Sequence, residues 1–393
     1  MGISVGMVGL GSFGSQFAPL FKAHPHVDRI ALCDREPERV AKFAERDFFQ
    51  DKFDPSDAFY SLEDICEADL DALVIITQPW LHAAQCIQAM ESGKHVYSAV
   101  PIVSLPDADE ILDWCDRLVR TCERTGRHYM LGETTYYRPE AMYCRRRAAE
   151  GAFGEFVHAD AQYFHDVDSP GCNLREVQKA RGASKAGHEW AELAETYWER
   201  GVVNGPMHYP THSVSGPVSV MGAHAVEVVA WGQRDETGDP YFAHSLRNET
   251  ALCRMSNGAT LRVCECRKIG HTGEEMFRVF GTDASFREGN WVDKESWTEV
   301  SRDEMREPLP DEVSEAFAEA HGEEFYGGHG GSHAYLVHEF CSAVAEDRVP
   351  AINVWEAVRY MAPGATAHKS ALAGGEVMEV PDWGNAPKAR NDR

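Results

Sequence analysis

Gly9-Leu10-Gly11-Ser12-Phe13-Gly14 follows the apolar run Ile3 to Val8 and opens an amphipathic stretch. This spacing is typical of a strand-to-helix turn that binds the pyrophosphate of a dinucleotide. The first glycine permits the tight turn, the second lets the backbone approach the phosphates, and the third lets the helix pack on the strand. Unpaired N–H groups at the helix start complete such a site. We therefore expect the residues of this loop to bind a cofactor: Gly9, Gly11, Ser12, Phe13 and Gly14.

An acidic residue ends the next apolar run at the position where a ribose is normally bound. Asp34 lies 34 − 14 = 20 residues after the last glycine of the loop. Its carboxylate would accept the ribose hydroxyls and repel a 2′-phosphate, which favours NAD over NADP. Arg35 follows Asp34 in the sequence and is also expected to contact the cofactor. Because an arginine here can bind a 2′-phosphate, NADP remains an alternative.

Two different patterns of secondary structure along the chain predict two domains. Up to about residue 135, short β-rich runs alternate with helical patterns, which predicts a doubly wound parallel sheet of the Rossmann type and an NAD-binding domain over residues 1–137. Longer alternating runs follow, and they predict an α+β domain with a large, mostly antiparallel open sheet over residues 138–393. The expected strands are Ile3 to Val8, Ile30 to Asp34, Ala72 to Thr77, His95 to Val100, His128 to Gly132, Glu155 to Phe164, Ala225 to Trp231, Thr250 to Met255, Thr260 to Cys266 and Met276 to Phe280.

Three local features stand out in the second half. Asn257-Gly258 lies between two expected strands and predicts a type I′ hairpin turn, because both central residues must tolerate a positive φ. Cys264 and Cys266 alternate on one strand, and we interpret them as buried small apolar residues rather than metal ligands. The segment 166–206, with a helical pattern around Trp190 to Arg200, predicts a long excursion over the sheet.

Composition limits the compartment and the partners. The chain has 393 residues and a net charge of −25, which disfavours binding to nucleic acid or to an anionic membrane. Its 11 cysteines do not show the paired spacing of a zinc ribbon or a disulfide framework, which fits reduced thiols in the cytoplasm. No apolar run is long enough for a membrane span, so we expect a cytoplasmic protein.

Several segments together resemble the Gfo/Idh/MocA family of NAD(P)-dependent sugar enzymes: the glycine loop, Thr77-Gln-Pro-Trp-Leu-His82, and Gly93-Lys-His-Val96 leading to Pro101. The resemblance implies that the loop after the fourth strand lies beside the nicotinamide. That family normally reads Glu-Lys-Pro at its catalytic lysine, whereas this chain has Ala99 and Val100 before the proline. A valine cannot move a proton, so simple alcohol dehydrogenation is disfavoured. The further cofactor contacts implied are Thr77, Gln78, Pro79, His82, Ala99 and Val100.

A narrower branch explains the missing lysine. Tyr209-Pro-Thr-His212, Glu133-Thr-Thr-Tyr-Tyr137 and His329-Gly-Gly331 resemble motifs of the NAD-dependent glycosidases, typified by α-N-acetylgalactosaminidases. The resemblance implies a retained NAD and a redox-neutral reaction. The sugar is oxidised at C3, the C1 substituent is eliminated, water is added and the ketone is reduced again.

Phenols and an imidazole are the groups expected for that chemistry, because a C3 ketone acidifies the C2 proton. Tyr137 follows the last strand of the first domain, and we expect it to take or return the C2 proton. Tyr209 and His212 flank Pro210 at an expected helix start, and both could project into the cleft. His212 is the candidate for the C3 hydroxyl proton, since an imidazole titrates near neutrality.

Histidines and one cationic group supply further candidates. His208 with His212, and His329 with His333, are i, i+4 pairs that could converge on a metal, although Gly330 and Gly331 interrupt the second pair and we expect no metal. His329 is instead expected to line the cleft from a mobile glycine-rich loop. Lys179, Arg181 and Lys185 could seat an anionic sugar such as a sulfoquinovoside. The expected substrate contacts are His165, Lys185, His208 and His329.

Alternative functions remain open at this point. A sugar or cyclitol dehydrogenase could use His212 in place of the lysine, and a lyase could stop after elimination. A third alternative is not an enzyme but a non-catalytic NAD-binding sensor. The replacement of the family's catalytic lysine segment by Ala99 and Val100 suggests it. We also expect a homodimer or homotetramer, because one face of the antiparallel sheet lacks helices to cover it.

Overall fold

A six-stranded parallel sheet forms the N-terminal third of the structure, a computed structural model that describes residues 2–170, 173–271, 273–322 and 325–387. Its strand order is β3-β2-β1-β4-β5-β6. The elements, in chain order, are β1 (Ile3–Val8), α1 (Gly14–Ala23), β2 (Val27–Cys33), α2 (Pro37–Ala44), β3 (Ala58–Phe59), α3 (Leu62–Glu67), β4 (Ala72–Ile75), α4 (His82–Glu91), β5 (His95–Ser98), α5 (Ala108–Thr125) and β6 (Tyr129–Leu131).

This arrangement confirms the doubly wound sheet. The strands are apolar and almost wholly buried because helices cover both faces of a parallel sheet. Strand order reverses between β1 and β4, and ligands of such folds bind at the carboxyl ends of the strands beside this switch point. β3 was not predicted, since its two residues are too few to show a periodicity.

A nine-stranded sheet forms the second half, with the order β14-β13-β12-β11-β7-β10-β9-β8-β15. Its neighbours pair antiparallel except β7 with β10, which confirms a mostly antiparallel sheet. The elements are α6 (Pro139–Ala149), β7 (Phe156–Phe164), α7 (Leu174–Gly182), α8 (Lys185–Glu199), α9 (Thr211–Met221), β8 (Ala225–Gln233), β9 (Asn248–Met255), β10 (Thr260–Cys266), β11 (Glu274–Gly281), β12 (Ala284–Arg287), β13 (Asn290–Asp293), β14 (Trp297–Glu299), α10 (Arg302–Met305), α11 (Asp311–His321), α12 (His333–Ala345), α13 (Val354–Leu372) and β15 (Met378–Glu379).

The hairpin between β9 and β10 is present, but the predicted type I′ turn is wrong. Met255 pairs with Ala259 across a three-residue loop, and of the two central residues only Gly258 has a positive φ, of 87°. Three-residue hairpins need one left-handed residue rather than two, so the glycine alone meets the requirement. On β10, Cys264 and Cys266 are buried free thiols, as interpreted from the sequence.

Helices of the second half connect the two sheets and position the site. α9 packs on β7 and β11, α13 packs on both β8 and α5, and α12 packs on α1. The predicted excursion is a pair of helices, α7 and α8, which pack on each other. Within the described part of the chain, every helix is too short or too polar to cross a membrane.

Candidate active site

The glycine loop has the geometry that its spacing predicts. Gly9 has a φ of 93°, and a Cβ there would lie 2.2 Å from the carbonyl oxygen of Ile76. A Cβ on Gly14 would lie 2.0 Å from the carbonyl oxygen of Gly9, so the helix approaches the turn closely. Gly11 has open space above it, with only Arg39 within 4 Å of its Cβ position. This open side is where a pyrophosphate would meet the loop.

Asp34 is fixed beside this loop at the carboxyl end of β2. Its carboxylate accepts hydrogen bonds from the N–H of Leu10 at 2.8 Å and of Glu36 at 2.9 Å, and Arg39 lies 3.4 Å from it. Arg35 makes a bidentate pair with Glu189 on α8, with distances of 3.0 Å. The excursion therefore reaches the ribose end of the cofactor site.

His82 stabilises the loop after β4 through hydrogen bonds to backbone carbonyls. Nδ1 of this buried imidazole lies 2.9 Å from the carbonyl oxygen of Pro101, and Nε2 lies 3.4 Å from that of Thr77. Burial lowers the pKa of His82, so the ring is neutral. It ties the Thr77 loop to the segment containing Ala99 and Val100, both buried, and its contact with a cofactor would be through these backbones.

A buried imidazole–carboxylate pair lies where the two parts of the chain meet. Nδ1 of His212, at the start of α9, lies 2.9 Å from Oε1 of Glu133, which follows β6. Burial opposes the charged imidazolium, but the carboxylates of Glu133 and Glu275 outweigh it and raise the pKa of His212 to about 9. The hydrogen bonds of the described residues leave Nε2 of His212 unused. The ring thus offers one nitrogen for proton transfer while the other is held.

Three rings surround His212. Tyr163 and Tyr209 each lie 5.4 Å from it between ring centroids, and His329 stacks on it at 6.2 Å. His329 also lies 6.0 Å from Phe13 of the glycine loop, so it bridges the cofactor loop and the dyad. Burial raises the pKa of Tyr209 well above its usual value, and this phenol keeps its proton.

His329 is held in a defined orientation. It has a φ of 52°, and its Nδ1 lies 3.1 Å from Nε2 of the buried His333. Desolvation, followed by the charge of His212, lowers the pKa of His329, so its imidazole is neutral. The glycine-rich loop thus places a second imidazole over the first.

Tyr137 does not join this cluster through its ring. It stacks on Tyr335 at 6.0 Å and contacts Tyr136 at 4.8 Å, with the guanidinium of Arg145 5.9 Å away. Burial raises its pKa well above the usual value, which makes it a poor base. Its role at C2 stays a prediction that these contacts do not favour.

His208 also lies apart from the dyad. Its Nδ1 lies 2.9 Å from the side-chain oxygen of Asn204, and its ring packs on His368 at 4.3 Å. The four histidines of the two i, i+4 pairs therefore do not converge. Among the described residues, no group of three or more histidine, cysteine or acidic side chains is arranged to hold a metal.

The two remaining expected substrate contacts differ in position. His165, at the end of β7, accepts or donates a hydrogen bond with the Tyr163 hydroxyl at 2.6 Å, so it borders the ring of phenols and imidazoles. Lys185 is exposed at the start of α8 with Lys179 and Arg181 nearby in sequence, also exposed.

Two site carboxylates were missed by sequence reasoning. Glu133 stood within a quoted motif, directly after a strand of the first sheet, where ligands of such folds bind. Glu265 is the inward-facing acid of β10: Ser213 donates to it at 2.5 Å and Arg267 at 3.0 Å, and burial raises its pKa to about 7. An acid at an apolar position of an alternating strand was the available signal.

Comparisons with known proteins agree with this geometry. Residues 3–133 match the GFO_IDH_MocA model, described as an oxidoreductase family with an NAD-binding Rossmann fold. The first domain is thus an NAD-binding Rossmann domain of that family, which confirms the resemblance and the cofactor.

Relatives extend the match beyond that domain. A glycosyl hydrolase family 109 protein of Solibacter usitatus is 26% identical over 97% of this chain and 88% of its own length. One from Shewanella pealeana is 30% identical, over 55% of this chain and 44% of its own length. The aldose-aldose oxidoreductase from Caulobacter crescentus, crystallised with glycerol, has a TM-score of 0.70 at 15% identity over 97% of this chain and all of its own. At that identity the likeness shows the fold alone.

Proposed function

We propose that this chain, whose first domain is an NAD-binding Rossmann domain of the Gfo/Idh/MocA oxidoreductase family, is an NAD-dependent glycosidase with no net redox change. The observation that carries the proposal is the Glu133–His212 pair. It supplies a proton carrier at the carboxyl edge of the sheet, where the family's lysine position is occupied by Val100. The glycosyl hydrolase names of the two relatives support the same reaction class.

The cofactor site consists of the glycine loop, Asp34 and the loop after β4, and a bound NAD would supply a reversible acceptor for the hydride at C3 of the sugar. Nε2 of His212 takes the proton of the C3 hydroxyl and returns it when the ketone is reduced. The Glu133 carboxylate stabilises the imidazolium that forms between these events.

Elimination needs a second proton acceptor, because a C3 ketone makes the C2 proton removable by a moderate base. His329 suits this role: its ring is neutral, oriented by His333, and stacked over His212. Tyr209 keeps its phenolic proton and can donate a hydrogen bond to a sugar oxygen. In the elimination His329 takes the C2 proton and the C1–O bond breaks, so that the aglycone leaves and is protonated by water. Water then adds across C1 and C2, with its hydroxyl at C1 and a proton returned to C2.

A more specific version of the proposal is that the substrate is an anionic glycoside, such as a sulfoquinovoside. The exposed cations of the α7–α8 segment support it: Lys179, Arg181 and Lys185. Arg138 and Arg267, which lie closer to His212, are already paired with Glu275 and Glu265. The site cluster itself therefore favours a neutral sugar, and a substrate panel must include both kinds.

Association through the second sheet is also part of the proposal. α9 and α13 cover one face, whereas Trp231 and Leu252 on the neighbouring strands β8 and β9 are 61% and 45% exposed. Large exposed apolar side chains on a sheet favour a subunit contact. We expect a homodimer or homotetramer by light scattering, and Trp231→Glu to shift it towards the monomer.

The test is a reaction in deuterated water with NAD and a panel of neutral and sulfonated aryl glycosides. Aglycone release, deuterium at C2 of the freed sugar and negligible accumulation of reduced cofactor are expected together. Reduced cofactor formed in proportion to oxidised sugar would overturn the glycosidase and favour a dehydrogenase. Aglycone release that leaves an unsaturated ketone would identify a lyase instead.

A further inference from the structure

Helix α8, which belongs to the excursion over residues 166–206, crosses the carboxyl edge of the first sheet. Glu189 pairs with Arg35, two residues after β2, and the neighbouring Trp190 packs at a tilt against Trp80 in the loop after β4, with ring centroids 4.9 Å apart. β2 and β4 lie on opposite sides of β1 in the sheet order. Two adjacent residues of α8 thus bind both sides of the glycine loop that follows β1.

The charges around the ribose position are balanced in a particular way. Asp34 is held by backbone N–H groups and paired with Arg39, and Arg35 is held by both carboxylate oxygens of Glu189. A 2′-phosphate binds where an arginine near the acidic residue is available to it. Here the planar fork of Arg35 is already bound by a carboxylate in the geometry that a phosphate would use.

We propose that Glu189 sets the selectivity of this site for NAD over NADP by occupying the guanidinium of Arg35. A 2′-phosphate would have to displace Glu189, and it would then lie beside two carboxylates, Asp34 and Glu189. The Trp80–Trp190 contact holds the helix that carries Glu189, which keeps this carboxylate within reach of Arg35. Asp34 of the Rossmann domain is thus joined by a second selectivity residue, Glu189, which comes from α8 in the second domain.

Binding affinities test this inference without any turnover. Glu189→Gln keeps the size of the side chain and removes its charge, and it should tighten NADP⁺ binding by about tenfold while changing that of NAD⁺ by less than about twofold. The pair is partly exposed, which is why a larger factor is not expected. Titration calorimetry at low salt on the full chain measures both affinities.

Matched variants separate this effect from a loosened helix. Glu192→Gln removes another exposed acid one turn along α8 and should leave both affinities unchanged. Arg35→Gln combined with Glu189→Gln should lose the gain in NADP⁺ affinity, because the released guanidinium is what binds the phosphate. Glu189→Ser also removes the charge at this position, and it should likewise tighten NADP⁺ binding.

Unchanged NADP⁺ affinity in both Glu189 variants, or a gain that survives in the double variant, would overturn the proposal. The inference depends only on the cofactor site. Because it is measured by binding, its failure would leave the glycosidase reaction standing, and the reverse also holds.

Discussion

Two buried histidine–glutamate pairs in this chain have nearly the same geometry and different surroundings. Nδ1 of His212 lies 2.9 Å from Glu133, and Nδ1 of His368 lies 2.8 Å from Glu249. In the second pair, Nε2 of His368 is also bonded, at 2.7 Å, to the carbonyl oxygen of Val203. In the first pair the corresponding nitrogen faces a cluster of rings beside the cofactor loop.

The other groups of each pair show the same contrast. The second oxygen of Glu249 accepts the N–H of Met207 at 2.9 Å, whereas the second oxygen of Glu133 has no hydrogen-bond partner among the described residues. A fully bonded pair holds structure together, and a pair with spare capacity can move a proton. The hydrogen-bond partners of the second ring nitrogen and of the second carboxylate oxygen together distinguish the two pairs.

The largest expected effect is on turnover. His212→Gln should lower kcat for aglycone release by about a thousandfold, since it removes the group that carries the C3 proton. His368→Gln should leave kcat of the folded protein within about threefold. Steady-state rates, normalised to folded protein by circular dichroism, compare the two. Equal losses in both variants would erase the proposed distinction.

The second effect is on stability, and it is expected at the His368–Glu249 pair. Glu249→Ala should lower the free energy of unfolding by about 3 kcal/mol, because it leaves His368 buried without its partner. Urea unfolding followed by tryptophan fluorescence measures it. A loss below about 1 kcal/mol would show that the pair is not the structural support that its three hydrogen bonds indicate.

The third effect is a shift in pH dependence. With the pKa of His212 raised to about 9, the rate of the NAD-loaded enzyme should rise with pH and level off near pH 9, where the imidazole becomes neutral. Glu133→Gln removes the attraction that raises this pKa, while burial still opposes the charged ring. The plateau should therefore begin about two pH units lower.

Glu249→Gln is the control for that profile, since it removes a carboxylate of the same kind from the other pair. Its plateau should stay near pH 9. A Glu133→Gln profile that matches the wild type would mean that Glu133 does not set the proton affinity of the catalytic ring.

The smallest effect separates the candidates for the C2 proton. His329→Gln should slow deuterium incorporation at C2 by about tenfold to a hundredfold, because it removes the neutral imidazole over His212. Tyr137→Phe should change it by less than about threefold, given that its ring stacks on Tyr335. Mass spectrometry of the product sugar gives both rates, and the reverse order would return the C2 role to Tyr137.

The fold and the glycine loop could be predicted from the sequence. The strand β1, the turn at Gly9 and the acid at Asp34 were predictable because backbone geometry there tolerates few residue types. Short strands such as β3 and the turn at Gly258 depend on tertiary pairing, which periodicity does not encode.

Histidine roles were the hardest part to predict. His208 and His212 are four residues apart and equally buried, yet one packs on His368 and the other pairs with Glu133. Glu133 is 79 residues from His212 in the chain. Neither partner is local in sequence, so no spacing rule separates the histidine that packs on His368 from the one that pairs with Glu133.

The most direct test of the central claim is a rapid-mixing experiment that follows reduced cofactor by its near-ultraviolet absorbance during the first turnover of an aryl glycoside. Wild type and His368→Gln should show the same transient rise and decay, and His212→Gln should show neither. A transient that survives in His212→Gln, or that is lost equally in His368→Gln, would contradict the assignment of proton transfer to the Glu133–His212 pair.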